Sequence, residues 1–298
     1  MAWWYAPDVS AWRVAQAETR GLRAKVWVVD ETGQPWLRKD HRVSRPYEPT
    51  IEALTLELAA RCGFEVAYGR ACTWLDASGV TARGFVSRRF HDGTESQHTG
   101  GELVQSVLNV PFDTSSEKEA GRPHVTIDVV LGVLEEHARR HDADLLHPFL
   151  RMLAFDAWIG NGDRHSGNWA LLSRGSSRRL APMYDTAGSL GAELQDATVM
   201  KKLAQGEAAI AQYVRGCRSG FGDGVAVAGV LQQDLLARLR HRPEWTAIIG
   251  DFAAYVSNNL TMVGDVLADI PDGWLTAPRK ELARALLVAR AKMLEENV

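Results

Sequence analysis

Three polar side chains in the stretch from Asp156 to Gly191 have the types and spacing that phosphoryl transfer needs. Asp163 and Asn168 stand five residues apart in a short loop flanked by Gly160 and Gly167, and Asp185 follows seventeen residues later. A carboxylate and an amide oxygen that converge would suit Mg²⁺, a hard cation that prefers oxygen ligands and is usually held by few protein groups plus nucleotide phosphates. Asp163 would then be the group that accepts a proton from an attacking hydroxyl. Convergence depends on what lies between. Trp169 to Ser173 is apolar and strand-like, Gly175-Ser176-Ser177 is a turn signal, and Arg178 to Tyr184 leads back. A hairpin returns its second strand beside its first, so Asp185 is expected near Asn168.

Asp, Asn and Gly also build ordinary turns, each for its own local reason. The ordered combination argues for chemistry: D-x-H-x-x-N, a hairpin, then Y-D. His165, inside the loop, reads as a structural group that bonds the backbone. The segments GNGDRHSGN and APMYDTAGSLG together resemble the HipA-like kinases, bacterial relatives of the protein-kinase and phosphatidylinositol-kinase folds. The resemblance implies an α+β, bilobal fold. Residues 1–90 would form a small β-rich N-lobe with one main helix, and residues 91–298 a mostly helical C-lobe. It implies Asp163 as catalytic base, Asn168 and Asp185 as metal ligands, and ATP with Mg²⁺ as cofactors. The spacing of Asp163 and Asn168 equals that of the protein-kinase catalytic loop. Asp185, however, is followed by Thr186-Ala187 and not by Phe-Gly, so a switch built on a flipping phenylalanine is not expected.

Other elements must bring a nucleotide to these groups. Ala24 to Asp30 alternates and is β-branched, Glu31-Thr32-Gly33-Gln34 is a turn, and Pro35 to Lys39 is a return strand. By the resemblance, Thr19 to Lys25 is a phosphate-covering loop, with Gly21, Arg23 and Lys25 as its contacts. Lys39, at the end of W-L-x-K, is the phosphate-binding lysine, and Lys25 competes for that role. Pro49 to Cys62 reads as a helix with Ile51, Leu54, Leu58 and Ala59 on one face. In kinase folds a glutamate on this helix pairs with the lysine. Family alignment favours Glu52, with Glu57 as the alternative. Ser87 to Phe90 resembles the end of the first lobe, where Arg88 and Phe90 would border the adenine edge.

Beyond Phe90 a polar connector is expected over residues 91–123, with order only at Gly101 to Val110. Amphipathic Ile127 to Arg140 follows, and then apolar Pro148 to Ile159, the helix expected to deliver the loop. Further helices are expected over Lys201 to Val214, Val225 to Arg240, Pro243 to Leu260 and Arg279 to Glu295. Arg215 to Gly220 is a basic loop, read either as a substrate-docking element or as a solvated turn. The aromatic start, Trp3, Trp4, Tyr5 and Trp12, is expected to cover the back of the first sheet.

Composition bounds the function. Hydrophobic content of 46% and charged content of 24% are those of a globular protein, and a net charge of −3 makes no electrostatic case for nucleic acid or an anionic membrane as partner. Cys62, Cys72 and Cys217 form no C-x-x-C pair, which points to a reducing compartment. The first residues lack the basic start and apolar core of a signal peptide, and no run is long enough to span a bilayer, so a cytoplasmic location is expected. A metal-dependent phosphoesterase is set aside, since only His165 lies near the cluster. The reading is an ATP-dependent kinase acting on a serine or threonine of a protein, itself included, with Thr19 the nearest hydroxyl. A small-molecule or lipid kinase, and a non-catalytic ATP-binding module, are the alternatives. A cognate antitoxin is a partner that only the resemblance implies.

Overall fold

A computed structural model describes residues 3–18, 25–41, 44–91, 93–108, 125–225 and 229–298. Strands β1 (Arg13–Glu18), β2 (Lys25–Val29) and β3 (Pro35–Asp40) precede helix α1 (Glu48–Arg61), and β4 (Gly69–Leu75) and β5 (Thr81–Arg88) follow it. They form one antiparallel sheet in the order β1-β2-β3-β5-β4. Two of its turns use the same device. Asp30 Oδ1 accepts from the amides of Thr32 and Gln34, and Asp76 Oδ1 accepts from those of Ser78 and Val80. A short acceptor side chain that bonds the backbone ahead of it makes Asp a turn former. Asp30 also takes the indole N–H of Trp36 at 2.9 Å, which ties the turn to the face covered by Trp12. The aromatic start divides: Trp12 packs on Trp36, Trp3 enters the main core, and Tyr5 stays exposed.

The apolar stripe expected on α1 is only part of what it buries. Glu48 through Ala59 are all buried, because the helix is covered by β4 and β5 on one side and by later helices on the other. A helix enclosed all round must find partners for its polar groups. Glu52, Thr55 and Glu57 each do so, as described below.

Next come β6 (Ser96–Thr99), α2 (Gly100–Leu108), α3 (Ile127–His141), α4 (Leu146–Ile159), β7 (Ala170–Arg174) and β8 (Ser177–Leu180). The expected hairpin is present as β7 and β8, turning at Gly175 with φ +59°. The order expected from Gly101 is present as α2, but the expectation of an irregular connector fails for residues 96–99. There β6 pairs with β7 and extends the hairpin to a three-stranded sheet, and α2 starts with a capping box between Thr99 and Glu102. Residues 109–123 lie outside the described residues.

The chain then continues as α5 (Asp196–Ala204), α6 (Glu207–Gly216), α7 (Gln232–Leu239), α8 (Pro243–Asn258), α9 (Leu260–Asp269) and α10 (Ala277–Glu295). The helix expected over Lys201 to Val214 is broken at Gly206, whose φ of +74° no helix accommodates. That expected from Val225 begins only at Gln232, and α9 was not foreseen. Trp158, Trp245, Phe149 and Phe155 are fully buried among these helices. Burying each such side chain contributes about 1.5–3 kcal/mol. The core they form reaches α1 as well, since Leu54, Leu58 and Phe85 belong to it.

Candidate active site

The loop that holds Asp163 starts where α4 stops. Gly160 ends the helix in the left-handed conformation, φ +71°, and its amide bonds back to Asp156. Asp156 is the one carboxylate in a largely apolar helix, and it is nearly fully buried. It organises the loop. Asn161 Nδ2 donates to Asp156 Oδ1 at 2.8 Å, and Arg164 donates through Nε to Oδ2 at 2.7 Å and through Nη2 to Oδ1 at 3.0 Å. Arg164 is 1% exposed. Burial opposes its charge, but Asp156 beside it outweighs that and raises its pKa.

The third nitrogen of Arg164 joins the two halves of the expected site. Nη1 donates to the backbone oxygen of Asn168 at 2.5 Å and to that of Tyr184 at 2.9 Å. Asn168 and the residue before Asp185 are therefore held by a single guanidinium nitrogen. Sequence reasoning missed Arg164 and Asp156. The available signal was a lone Asp inside an apolar helix, which needs a buried partner. Deeper still, Gln232 Nε2 donates to Asn161 O at 3.1 Å, and Arg290 Nη1 donates to Gln232 Oε1 at 2.5 Å and to Ala157 O at 2.9 Å.

Asp163 itself sits at the outer side of this network, its side chain 59% exposed. Its amide donates to Asn161 Oδ1 at 3.0 Å. Asn168 Nδ2 donates to Asp163 O at 2.7 Å and reaches Asp163 Oδ2 at 3.4 Å. Gly188 presses on the same residue, since a Cβ there would come within 2.9 Å of Asp163 Cβ. His165 has the structural contact expected of it. Its Nδ1 accepts from the Gly167 amide at 3.0 Å, which leaves Nε2 to carry the proton, 3.8 Å from Asp163 Oδ1.

Asp185 takes φ +55°, a left-handed conformation that Asp tolerates better than most residues. Its carboxylate meets two lysines. Lys39 Nζ lies 3.1 Å from Oδ1 and Lys25 Nζ 3.5 Å from Oδ2. The two lysines are directly paired across β2 and β3, so the register of that hairpin sends both to one carboxylate. Lys39 is buried and also donates to Glu52 Oε1 at 2.5 Å. Of the two helix glutamates, Glu52 is therefore the one that meets Lys39. Glu57 instead accepts the indole N–H of Trp4 at 2.9 Å and pairs with Arg61. Desolvation raises its pKa in spite of both partners. Thr186, which follows Asp185, is fully buried, and its hydroxyl lies 2.7 Å from that of Thr55 on α1.

The remaining candidates are less tightly gathered. Phe90 stacks on Tyr184 with ring centroids 5.5 Å apart, beside the hairpin that ends at Asp185. Arg88 turns outward and donates to Gln34, while its amide and that of Arg89 donate to Tyr68 O and Pro35 O. An adenine at this edge would have to use other groups than these two amides. Gly21 and Arg23, together with Thr19, lie outside the described residues.

The donors fit a hard cation. Asn168 spends its amide nitrogen on Asp163, which leaves its oxygen as the ligand atom, and Asp185 offers a carboxylate. Among the described residues no three His, Cys, Asp or Glu side chains gather as a metal site. An ion held here would lean on one carboxylate, one amide oxygen and ligand phosphates, the coordination habit of Mg²⁺.

Comparison with known proteins bears on family and fold. The family model of the HipA-like C-terminal domain matches residues 17–233. The chain belongs to that family. A crystal structure of the Helicobacter pylori proinflammatory kinase CtkA superposes with a TM-score of 0.73 at 14% identity, covering 96% of this chain and 94% of that one. HipA of Shewanella oneidensis MR-1, solved with HipB and operator DNA, gives 0.61 at 13% identity over 95% of this chain and 67% of that one. The Golgi casein kinase with Mn/ADP bound gives 0.51 at 13% identity over 97% and 73%. None of the curated proteins matches the sequence. Identities this low speak for the fold, and the fold is protein-kinase-like. Family and fold together make this a kinase-type protein. Among the described residues no helix is long and apolar enough to cross a membrane.

Proposed function

We propose that the chain is an ATP-dependent kinase that transfers the γ-phosphate to a serine or threonine hydroxyl of a protein, itself included. One observation carries this reading: buried Lys39 contacts Glu52 and Asp185 at once. A lysine–glutamate pair on a strand and a helix, next to a metal-binding aspartate, is the set that must be in place for kinase catalysis. The β-rich part up to Phe90 and the helical part beyond it would act as two lobes, with the nucleotide between them. Lys39 and Lys25 would neutralise phosphate oxygens, aided by Gly21 and Arg23, and Arg88 and Phe90 would border the base. Glu52 would hold Lys39 in register. Mg²⁺, held by Asp185 and Asn168 when bound, would offset charge on the transferred group.

Asp163 would accept the proton of the acceptor hydroxyl. Its exposure suits that task, because an acceptor on another polypeptide must arrive from solvent. Asn168 Nδ2 and the Asn161 side chain would fix its position, so the loop contributes alignment more than bond chemistry. The chain would work in the cytoplasm. Cys62 and Cys72 are free, and burial pushes both thiols up to about 12, as befits unreactive groups in a reducing compartment. The HipA neighbour was solved with HipB, and a small antitoxin-like partner is the corresponding proposal here.

The test is intact-mass analysis after incubation with Mg-ATP, beside Asp163→Ala and Asp185→Asn. Phosphate gained by the natural protein and by neither variant is the expected result. ATP binding detected by a melting shift, with neither phosphate gain nor ADP release in the presence of peptides, would overturn the reading.

A further inference from the structure

A cavity with polar lining lies behind the β7–β8 hairpin, between it and helices α2 and α3. It has a volume of about 220 Å³, and among its lining residues are His98, Glu102, Ser106, His137, Ser173 and Arg178. None of these residues belongs to the candidate active site. Ser173 Oγ and His137 Nδ1 are buried without a hydrogen-bond partner among the described residues, and Ser173 is 8% exposed. Buried polar atoms left unpaired are costly, and their presence at a roomy polar cavity points to a ligand.

The charge of the cavity selects that ligand. Desolvation lowers the pKa of His137, and His141, Arg140, Arg178 and His98 all add to the effect. The acid in the lining is Glu102, and one of its oxygens already takes the Thr99 amide at 2.7 Å at the start of α2. A metal ion is disfavoured, since Arg178 stands among the groups and no metal-holding cluster occurs among the described residues. Arg178 spends Nη1 on Gly175 O and Ser177 O, and its other nitrogens, two imidazoles and the Ser173 hydroxyl suit a phosphate group. Ser106 already donates its hydroxyl hydrogen to Leu103 O, so it can only accept, as can Glu102. Acceptors beside a cationic end fit a ligand that also carries hydroxyl groups.

We infer that this cavity binds a small phosphate-bearing ligand, with Arg178, His98, His137 and Ser173 on the phosphate and Glu102 and Ser106 on attached hydroxyls. The pocket is separate from the nucleotide site, so its occupancy does not depend on Asp185.

The full chain is titrated with glycerol 3-phosphate, inorganic phosphate and glycerol while the imidazole signals of His98 and His137 are followed by NMR. Both phosphates should shift these signals and glycerol should not. Tighter binding of the ester assigns a hydroxylated phosphate, and equal binding assigns free phosphate. Arg178→Gln should weaken binding by roughly tenfold or more, as expected for loss of a charge-assisted contact. Ser173→Ala, which removes a partnerless hydroxyl and should fold normally, should weaken it by a smaller factor. Bound phosphate should also raise the pH at which His137 titrates. Asp185→Asn should bind as the natural protein does. Silence of both histidines toward both phosphates, an unchanged affinity in Arg178→Gln, or loss of binding in Asp185→Asn would each overturn the inference.

Discussion

Two cation–carboxylate pairs lie close together in this molecule, and they have opposite characters. Asp156 and Arg164 are both buried, and the guanidinium spends its nitrogens on Asp156 and on the backbone oxygens of Asn168 and Tyr184. Asp185, by contrast, faces two lysines on a backbone with φ +55°, and one of those lysines is shared with Glu52. The first pair is closed, with its geometry serving the chain. The second is open to revision, because a phosphate or a cation entering there changes the charge that each partner sees. Ion pairs of similar composition thus differ in what they join: one fastens the backbone of a loop and a hairpin, the other gathers charged side chains from two strands, a helix and the hairpin's end.

The largest effect expected from breaking this contrast is on the closed pair. Arg164→Met leaves Asp156 buried without its cation and should cost about 3–5 kcal/mol of stability, seen as a large drop in denaturation midpoint. Loss of activity would follow from lost structure. At the open pair, Lys39→Met removes the cation shared by Glu52 and Asp185 but leaves Asp185 with Lys25. A stability loss of about 1–3 kcal/mol is expected, with phosphoryl transfer abolished in a chain that still folds. Equal stability losses in the two variants would erase the distinction between closed and open pair.

Gly188→Ala sharpens it from the side of Asp163. The new Cβ must displace Asp163, yet the site lies at the exposed edge of the loop. Turnover should fall roughly a hundredfold, the scale of a misplacement of about 1 Å, while the melting temperature hardly moves. The smallest effect is one of pH. His137 has a folded pKa below its ordinary value of 6.5, so folding disfavours its protonation. The ligand-free chain should therefore lose stability as pH falls through 6.5 toward the lower folded value. In denaturant titrations, His137→Gln should be less sensitive to pH than the natural protein over that window.

How far the sequence reveals this depends on the range of the interactions. The helix at α1 and the β2–β3 and β7–β8 hairpins rest on local signals: alternation, turn residues and short spacings. They were legible for that reason. Strand β6 was not, because Ser96–Thr99 carries no apolar alternation and is a strand only through its pairing with β7. Arg164 was hidden differently. It stands within the motif, but its partner Asp156 lies on the preceding helix and its acceptors on both sides of the hairpin. The choice between Glu52 and Glu57 turned on which face of α1 meets β3, a tertiary fact.

The bonds that finish the catalytic loop span long distances along the chain. Gln232 reaches Asn161 across 71 positions, and Arg290 reaches Ala157 across 133. Contacts of such separation close late, since the intervening chain must first be ordered. During synthesis the residues of the loop leave the ribosome well before those that lock it from α7 and α10. An incomplete chain can hold the first sheet and the loop with Asp163 and still lack the fastening that aligns them. The kinase-type activity would then switch on only once α10 has docked against α4 and brought Arg290 to Ala157.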